Sequence, residues 1–268
     1  MRWFSLHLQV NDKIHKINDL AYRWRNGALQ AIAHTPAVRL DGLLGIDRQK
    51  AELVANTASF VARRPANHAL LTGSRGTGKS SLVKALLGEF GGQGLRLVEV
   101  HPHDLIDLPD VVAPLRERPE RFVLYVDDFT VAGNDPALAA LKAALDGGIE
   151  EPPDNVLIYA TSNRRHLMPE YRSENEEYKF VDGELHPGES AEDKIALSER
   201  FGLWLSFPPF GQQMYLELVR LHLKRLGVGA WNEDIEKAAL RWALSRASRS
   251  GRVAQQFARS HVGRASEP

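Results

Sequence analysis

Residues 73–80, Gly-Ser-Arg-Gly-Thr-Gly-Lys-Ser, carry the glycines, lysine and hydroxyl that a phosphate-binding loop requires. They match the pattern G-x-x-x-x-G-K-[ST] at every position. Glycines let the backbone wrap closely around phosphates, because they adopt φ values that other residues avoid. Lys79 would bring a positive charge to the β- and γ-phosphates of ATP, and the Ser80 hydroxyl would bind Mg²⁺. The expected nucleotide ligands are Gly73, Ser74, Arg75, Gly76, Thr77, Gly78, Lys79, Ser80 and Ser81.

The residues on either side of this loop predict a strand before it and a helix after it. Residues 68–72 form an apolar run, and residues 81–87 have helical spacing. A helix that begins here points unpaired N–H groups and the positive end of its dipole at a bound anion. We therefore interpret the stretch as a phosphate-binding loop rather than a glycine-rich turn with an accidental lysine.

Two adjacent acids, Asp127 and Asp128, follow the apolar run 121–126, about fifty residues after the loop. A nucleotide-binding α/β fold needs its second magnesium contact at this place. Successive side chains of a strand point in opposite directions, so the two acids would have different roles. Asp127 would hold Mg²⁺, usually through water, and Asp128 would face the water that attacks the γ-phosphate. Many such ATPases carry Glu at the second position, so the shorter Asp128 leaves slow hydrolysis or a water-mediated contact open.

Asn163 follows the next predicted strand, residues 156–161. A polar amide at a strand end between the loop and the acids would position the attacking water or sense the γ-phosphate. Asn is also a good turn former, so alone it would carry little weight. Together with the loop and the acids, it favours the functional interpretation.

Apolar runs alternate with helical patterns from about residue 67 to 207, which predicts an α/β domain with a largely parallel sheet flanked by helices. After Pro208 and Pro209 the pattern becomes entirely helical, which predicts a small helical lid domain. We expect a nucleotide-binding domain over 40–209, a lid over 210–268 and an N-terminal helical segment over 1–39. The expected strands are residues 68–72, 95–100, 122–126, 156–161 and 203–207.

Two further clusters are interpreted as structural. Residues 22–25, Tyr-Arg-Trp-Arg, would be able to stack on a nucleic acid, but a helix that packs one aromatic while its arginines face water is favoured. Residues 101–104, His-Pro-His-Asp, resemble metal ligands, yet no second cluster of comparable spacing accompanies them. We expect them to form a solvated loop.

Composition limits the classes of function. The 268 residues contain 34 Lys plus Arg and 34 Asp plus Glu, so global charge indicates neither nucleic acid nor an anionic membrane. The absence of cysteine excludes disulfides, thiolate catalysis and cysteine-based zinc sites. No signal peptide or apolar run long enough to span a membrane is present, so we expect a cytoplasmic protein without a membrane partner.

Charge is nevertheless distributed unevenly. Residues 170–199 contain ten acidic and three basic residues, whereas residues 210–264 contain ten basic and four acidic residues. Two solvated faces, or two regions that attract each other, are favoured over a dedicated partner surface.

The loop, the acids and Asn163 resemble the nucleotide site of the AAA+ superfamily, in which Asn163 aligns with the first sensor. Residues 40–47 resemble the segment that packs around adenine. Residues 197–202 resemble the segment with the arginine finger, which would be Arg200 acting on a neighbouring subunit. Residues 250–252 resemble the second sensor, which would make Arg252 a nucleotide contact from the lid.

More closely, the chain is similar to a bacterial family of predicted AAA+ ATPases described only as a domain of unknown function. The similarity covers about residues 20–264, and Asp at position 128 fits that family. The shared stretches are residues 75–87, 155–167, 197–207, 248–254 and 256–258.

The resemblance implies an ATPase that uses ATP and Mg²⁺, assembles as a homo-oligomer, at least when it binds ATP, and acts on an unidentified protein or nucleic-acid client. Two alternatives stay open. One is an ATP-dependent switch or scaffold that hydrolyses slowly or not at all. The other is a small-molecule kinase, in which lid arginines would close over an acceptor pocket; the sensor-like residues and helical C-terminal domain disfavour it.

Overall fold

The computed structural model describes residues 19–35, 37–130, 136–146, 153–163, 179–181, 184–186 and 199–265. Most of the acidic stretch 170–199 and the start of the N-terminal segment, residues 1–18, lie outside these ranges. The expectations about them are therefore not addressed by the structure.

The described residues form strands and helices in alternation, followed by three helices. The strands are β1 (Ala21–Arg25), β2 (Ala28–Ala31), β3 (Ala69–Gly73), β4 (Leu95–Glu99), β5 (Arg121–Val126), β6 (Val156–Ser162), β7 (Lys179–Val181), β8 (Glu184–His186) and β9 (Leu203–Phe207). The α-helices are α1 (Asp47–Val61), α2 (Lys79–Phe90), α3 (Leu108–Val112), α4 (Pro136–Asp146), α5 (Gln212–Arg225), α6 (Glu233–Ser245) and α7 (Gly251–Ala265). Short 3₁₀ helices lie at Leu40–Gly42, Gly91–Gln93, Pro102–Asp107 and Ala113–Leu115.

Seven of these strands form one sheet in the order β2-β1-β4-β5-β6-β3-β9. Its pairs are parallel except for β1 with β2. The central strands β5 and β6 are buried along their whole lengths, because a hydrophobic core covers each face of the sheet. All five strands predicted from the sequence are present, and the α/β class is confirmed.

The hairpin β1–β2 replaces the helix that we expected around residues 22–25, so that prediction is wrong. Tyr22 and Trp24 are each 4% exposed, whereas Arg23 and Arg25 face solvent. That alternation has the period of a strand. Residues 26–27, Asn-Gly, both have positive φ and form the tight turn that this dipeptide favours in hairpins. The Asn-Gly turn was the signal in the sequence that could have identified the hairpin.

The C-terminal helices α5, α6 and α7 pack around a core of their own, which confirms a helical region after the sheet. Asn232 caps α6, because its side chain accepts a hydrogen bond from the Ile235 amide at 2.9 Å. The domain boundaries, 40–209 and 210–268, remain predictions. Across the described ranges, every helix is too short or too polar to pass through a lipid bilayer.

Candidate nucleotide-binding site

The phosphate-binding loop connects β3 to α2 and depends on glycine at both of its ends. At Gly73, with φ of 129°, an added Cβ would lie 2.1 Å from the backbone oxygen of Phe207, so the loop can approach β9 only without a side chain. Gly78, with φ of 104°, precedes the first residue of α2 in the left-handed conformation. The amino end of α2 therefore opens directly into the loop, as the sequence predicts.

Lys79 is buried and lies at the centre of the site. Its Nζ donates hydrogen bonds to the backbone oxygens of Gly73 and Ser74, both at 2.8 Å, and to Asn163 Oδ1 at 3.1 Å. Burial lowers the pKa of Lys79 to about 8, although the carboxylates of Asp127 and Asp128 oppose the shift. The lysine thus already lies beside the end of β6 that carries the predicted sensor.

Asp127 and Ser80 form the predicted metal side of the site. Ser80 Oγ donates to Asp127 Oδ1 at 2.7 Å, and Thr161 Oγ1 donates to the same oxygen at 2.6 Å. Burial raises the pKa of Asp127, but the hydrogen bonds from Thr161 and Ser80 outweigh it and bring the pKa below its usual value. An ionised carboxylate beside a hydroxyl is the hard oxygen donor set that Mg²⁺ prefers, so these residues fit the expected ion.

Thr161 is a site residue that the sequence analysis missed. It lies on β6, next to β5 in the sheet, and it orients both acids. Besides its bond to Asp127, its Oγ1 accepts a hydrogen bond from the Asp128 backbone amide at 3.0 Å. A hydroxyl near the end of a buried strand, two residues before Asn163, was the available signal.

Asp128 has contacts that differ from those of Asp127. Its φ of 55° is left-handed, a conformation that Asp tolerates better than most residues do. Asn163 Nδ2 donates to Asp128 Oδ1, while the amide oxygen of Asn163 accepts from Lys79. The structure therefore joins the three predicted residues Lys79, Asn163 and Asp128 in one hydrogen-bonded chain.

A cavity of about 830 Å³ runs from this network to the lid. Leu43, Leu44 and Ile46, from the segment predicted to pack around adenine, form part of its wall together with Phe210 and Leu218. Two basic lid residues, His222 and Arg225, also line it and were not anticipated. The predicted residues on its wall are Arg75, Gly76, Thr77, Gly78, Lys79, Ser80, Ser81, Asp127, Asp128, Asn163 and Arg252. Gly73 and Ser74 are absent from that wall and instead hold Lys79.

The lid contacts the phosphate-binding loop through the start of α7. The Gly251 amide donates to the Gly76 backbone oxygen at 2.9 Å. A Cβ at position 76 would lie 2.8 Å from Ser250 Oγ, so this contact also requires a glycine. Arg252, one residue into the helix, is thereby placed at the edge of the cavity.

Arg200 does not line the cavity of its own chain. Its Nε donates to Asp146 Oδ1 at 2.6 Å, at the end of α4, while the adjacent Phe201 is anchored in the core. The structure therefore does not bring this predicted catalytic residue together with Lys79 and Asp127.

The fold and the arrangement of the loop, acids and lid define a P-loop protein of the AAA+ class. Solved structures that share the fold include the Thermotoga maritima RuvB Holliday junction branch migration motor, with 17% identity and a TM-score of 0.53, over 84% of this chain and 64% of that chain. Another is the Aeropyrum pernix Orc1 protein in complex with DNA, with 13% identity and a TM-score of 0.60, over 88% and 63%. The chain thus spans less than two thirds of either chain.

Within this class, the chain belongs to a particular family. The family model described as "Protein of unknown function (DUF815)" matches residues 18–265, which confirms the resemblance noted in the sequence. No curated protein matches the chain.

Proposed function

We propose that this protein binds Mg²⁺·ATP in the cavity between the sheet and the lid and hydrolyses it to ADP and phosphate. The observation that carries the proposal is the network at one end of that cavity, in which Lys79 contacts Asn163, Asn163 contacts Asp128, and Ser80 contacts Asp127. A cation for the phosphates, an oxygen pair for a metal and a carboxylate for water are all present within it.

The walls of the cavity suggest how the nucleotide lies. The triphosphate fits the loop and the amino end of α2, with the base towards Leu43, Ile46 and Phe210. Ser80 and Asp127 would hold Mg²⁺, which supplies positive charge to the β- and γ-phosphates. Arg252 would add a contact from the lid.

We expect Asp128 and Asn163 to act on the attacking water. The water oxygen forms a bond to the γ-phosphorus, the bond from that phosphorus to the bridging oxygen of ADP breaks, and the water proton passes to the Asp128 carboxylate. Asn163 holds that carboxylate through its amide and would keep the water aligned.

The proposal extends to assembly. Since Arg200 lies off its own cavity, its expected catalytic role requires a neighbouring copy, which implies a homo-oligomer that forms at least when ATP is bound. A protein or nucleic-acid client and a cytoplasmic location remain predictions.

An ATP-dependent switch is the second candidate. The contact between Gly251 and Gly76 favours it, because ATP on the loop would set the position of the lid whether or not hydrolysis follows. Slow turnover at the short Asp128 carboxylate would suit such a switch.

Replacement of Lys79 tests nucleotide binding, which both candidates share. We expect Lys79→Ala to weaken ATP binding by about 10- to 100-fold, the effect of losing a charged hydrogen-bond donor, and to abolish turnover. Titration with a fluorescent ATP analogue measures the affinity. Lys224→Ala, which removes the same charge from an exposed position on α5, is the control. If Lys79→Ala binds like the parent, the loop assignment is wrong.

A further inference from the structure

A second cavity, of about 370 Å³, adjoins the nucleotide cavity at Asp127. Asp127 belongs to the walls of both, so the two cavities meet at the metal side of the site. The rest of the second cavity is formed by the carboxyl ends of β1 and β4 and by the residues that follow β4. Those residues are Arg23, Trp24, Arg25, Glu99, Val100, His101, Pro102 and Asp104.

The register of the sheet explains why basic side chains meet Asp127 here. Arg23 of β1 pairs in register with Glu99 of β4, and Glu99 pairs with Tyr125 of β5. Side chains two residues further along each strand point to the same face. Arg25 and Asp127 therefore extend from one face of the carboxyl edge of the sheet, on β1 and β5, with β4 between them.

The charges of this cavity are only partly compensated. Arg23 and Glu99 neutralise each other in an ion pair of 2.6 Å. Asp127 is held by Ser80 and Thr161 and would face Mg²⁺. Arg25 and Asp104, by contrast, form no ion pair with any residue in the described part of the chain. One guanidinium and one carboxylate are thus available to a ligand.

That combination fits hydrogen phosphate. Arg25 can donate to the phosphate oxygens, and Asp104 can accept the proton of a P–OH group. A phosphodiester carries no such proton, so Asp104 would repel it rather than bind it. The cavity also has room for the ion with several waters, each of which occupies about 30 Å³.

We propose that this second cavity receives the inorganic phosphate produced by ATP hydrolysis, so that phosphate leaves past Asp127 while ADP still occupies the nucleotide cavity. The inference rests on the proposed hydrolysis. The route follows from where phosphate would be produced. Cleavage would free phosphate beside Asp127, and the ADP that is still bound would lie between this phosphate and the lid side of the nucleotide cavity.

Single-turnover kinetics of the full chain with Mg²⁺·ATP test the route. Chemical quench measures cleavage, and a fluorescent phosphate sensor measures release. We expect Arg25→Glu to leave cleavage unchanged and to slow release by about threefold to tenfold, a modest factor because Arg25 is exposed. Arg25→Lys should stay close to the parent. Arg64→Ala, which removes an exposed arginine from the segment between α1 and β3, should match the parent.

A second measurement does not depend on which step is slow. In equilibrium dialysis of radiolabelled inorganic phosphate against protein saturated with Mg²⁺·ADP, we expect Arg25→Glu and Asp104→Ala to weaken binding and Arg64→Ala to leave it unchanged. If Arg25→Glu cleaves ATP normally and also releases and binds phosphate like the parent, the phosphate inference is wrong. The proposed hydrolysis would still stand. A parent that cleaves no ATP overturns the proposed function, and this inference with it.

Discussion

The protonation of Lys79 should make ATP affinity depend on pH. Its pKa of about 8 reflects burial, and a bound triphosphate would restore a higher value by pairing with the charged form. ATP affinity should therefore be constant below about pH 8 and fall above it, by up to about tenfold per pH unit, because binding then requires uptake of a proton. Calorimetric titration between about pH 7 and 10 measures this.

The control for the pH effect is Lys79→Arg, because a guanidinium stays charged throughout this range. Its affinity should be lower than that of the parent and should show a flatter pH dependence. A parent whose affinity shows no decline above about pH 8 would show that Lys79 does not titrate in the free protein as we infer.

Replacement of Asp128 tests whether ATP hydrolysis can be lost while ATP binding is kept. Asp128→Asn keeps the shape of the side chain and tolerates the left-handed φ of 55°, but it removes the proton acceptor. We expect ATP affinity within about threefold of the parent and a loss of turnover of at least about 100-fold, the contribution typical of a general base. Asp110→Asn, at an exposed position on α3, serves as the matched control for charge.

The residues that the sequence could predict are those whose roles follow from local spacing. Lys79 and Ser80 belong to a contiguous motif, and Asp127 ends a recognisable strand, so each could be assigned before the fold was known. Thr161 could not, because its contact with Asp127 depends on β6 lying beside β5. His222 and Arg225 of the lid reach the cavity through packing between distant parts of the chain, which no local pattern encodes.

At the scale of elements, prediction succeeded where burial determines the pattern. Strands β5 and β6 are buried on both faces, so long apolar runs identified them. The hairpin β1–β2 was not predicted, because an alternation over only five residues also resembles about one turn of a helix. Its place at the side of β4 is a long-range pairing, and that pairing creates the second cavity.

The burial of Trp24 in β1, the strand found in place of the predicted helix, can be tested by mutation. Trp24 is buried, and its Nε1 donates to Asp107 Oδ2 at 2.9 Å. Trp24→Ala should lower the free energy of unfolding by about 3–5 kcal/mol, whereas Trp24→Phe should cost about 1–2 kcal/mol through the lost hydrogen bond and a smaller ring. Urea unfolding measures both. Trp204→Ala, at a site 37% exposed, should cost less than Trp24→Ala.

An equal or smaller loss for Trp24→Ala than for Trp204→Ala would contradict the placement of Trp24 in the core. It would favour the helix over residues 22–25 that packs only one of the two aromatic side chains, which the strand replaces.

At the scale of the whole molecule, the sheet and the lid meet around the nucleotide cavity. The Gly251 amide contacts Gly76, and a Cβ at Gly45 would lie 2.8 Å from Met214 Sδ, so the lid packs closely against the loop and the segment before α1. The sequence predicted the lid helices from their periodicity. It could not predict these contacts, because they depend on how two separately formed cores pack together.

The position of Arg200 predicts that hydrolysis requires two or more copies of the chain. The arginine lies beside Asp146 rather than at its own cavity, so turnover should depend on a second copy of the chain. Specific activity should rise with protein concentration and then reach a plateau. Arg200→Ala should remove that rise while leaving ATP bound.

Steady-state ATP hydrolysis as a function of protein concentration, with Mg²⁺, decides whether this protein is an ATPase that works as an oligomer. The measurement compares the parent with Asp128→Asn and Arg200→Ala. We predict that the parent releases phosphate at a specific rate that climbs with concentration, and that both variants lose most of that rate while still binding ATP. A parent that releases no more phosphate than Asp128→Asn at any concentration would contradict the account and favour the non-hydrolysing switch.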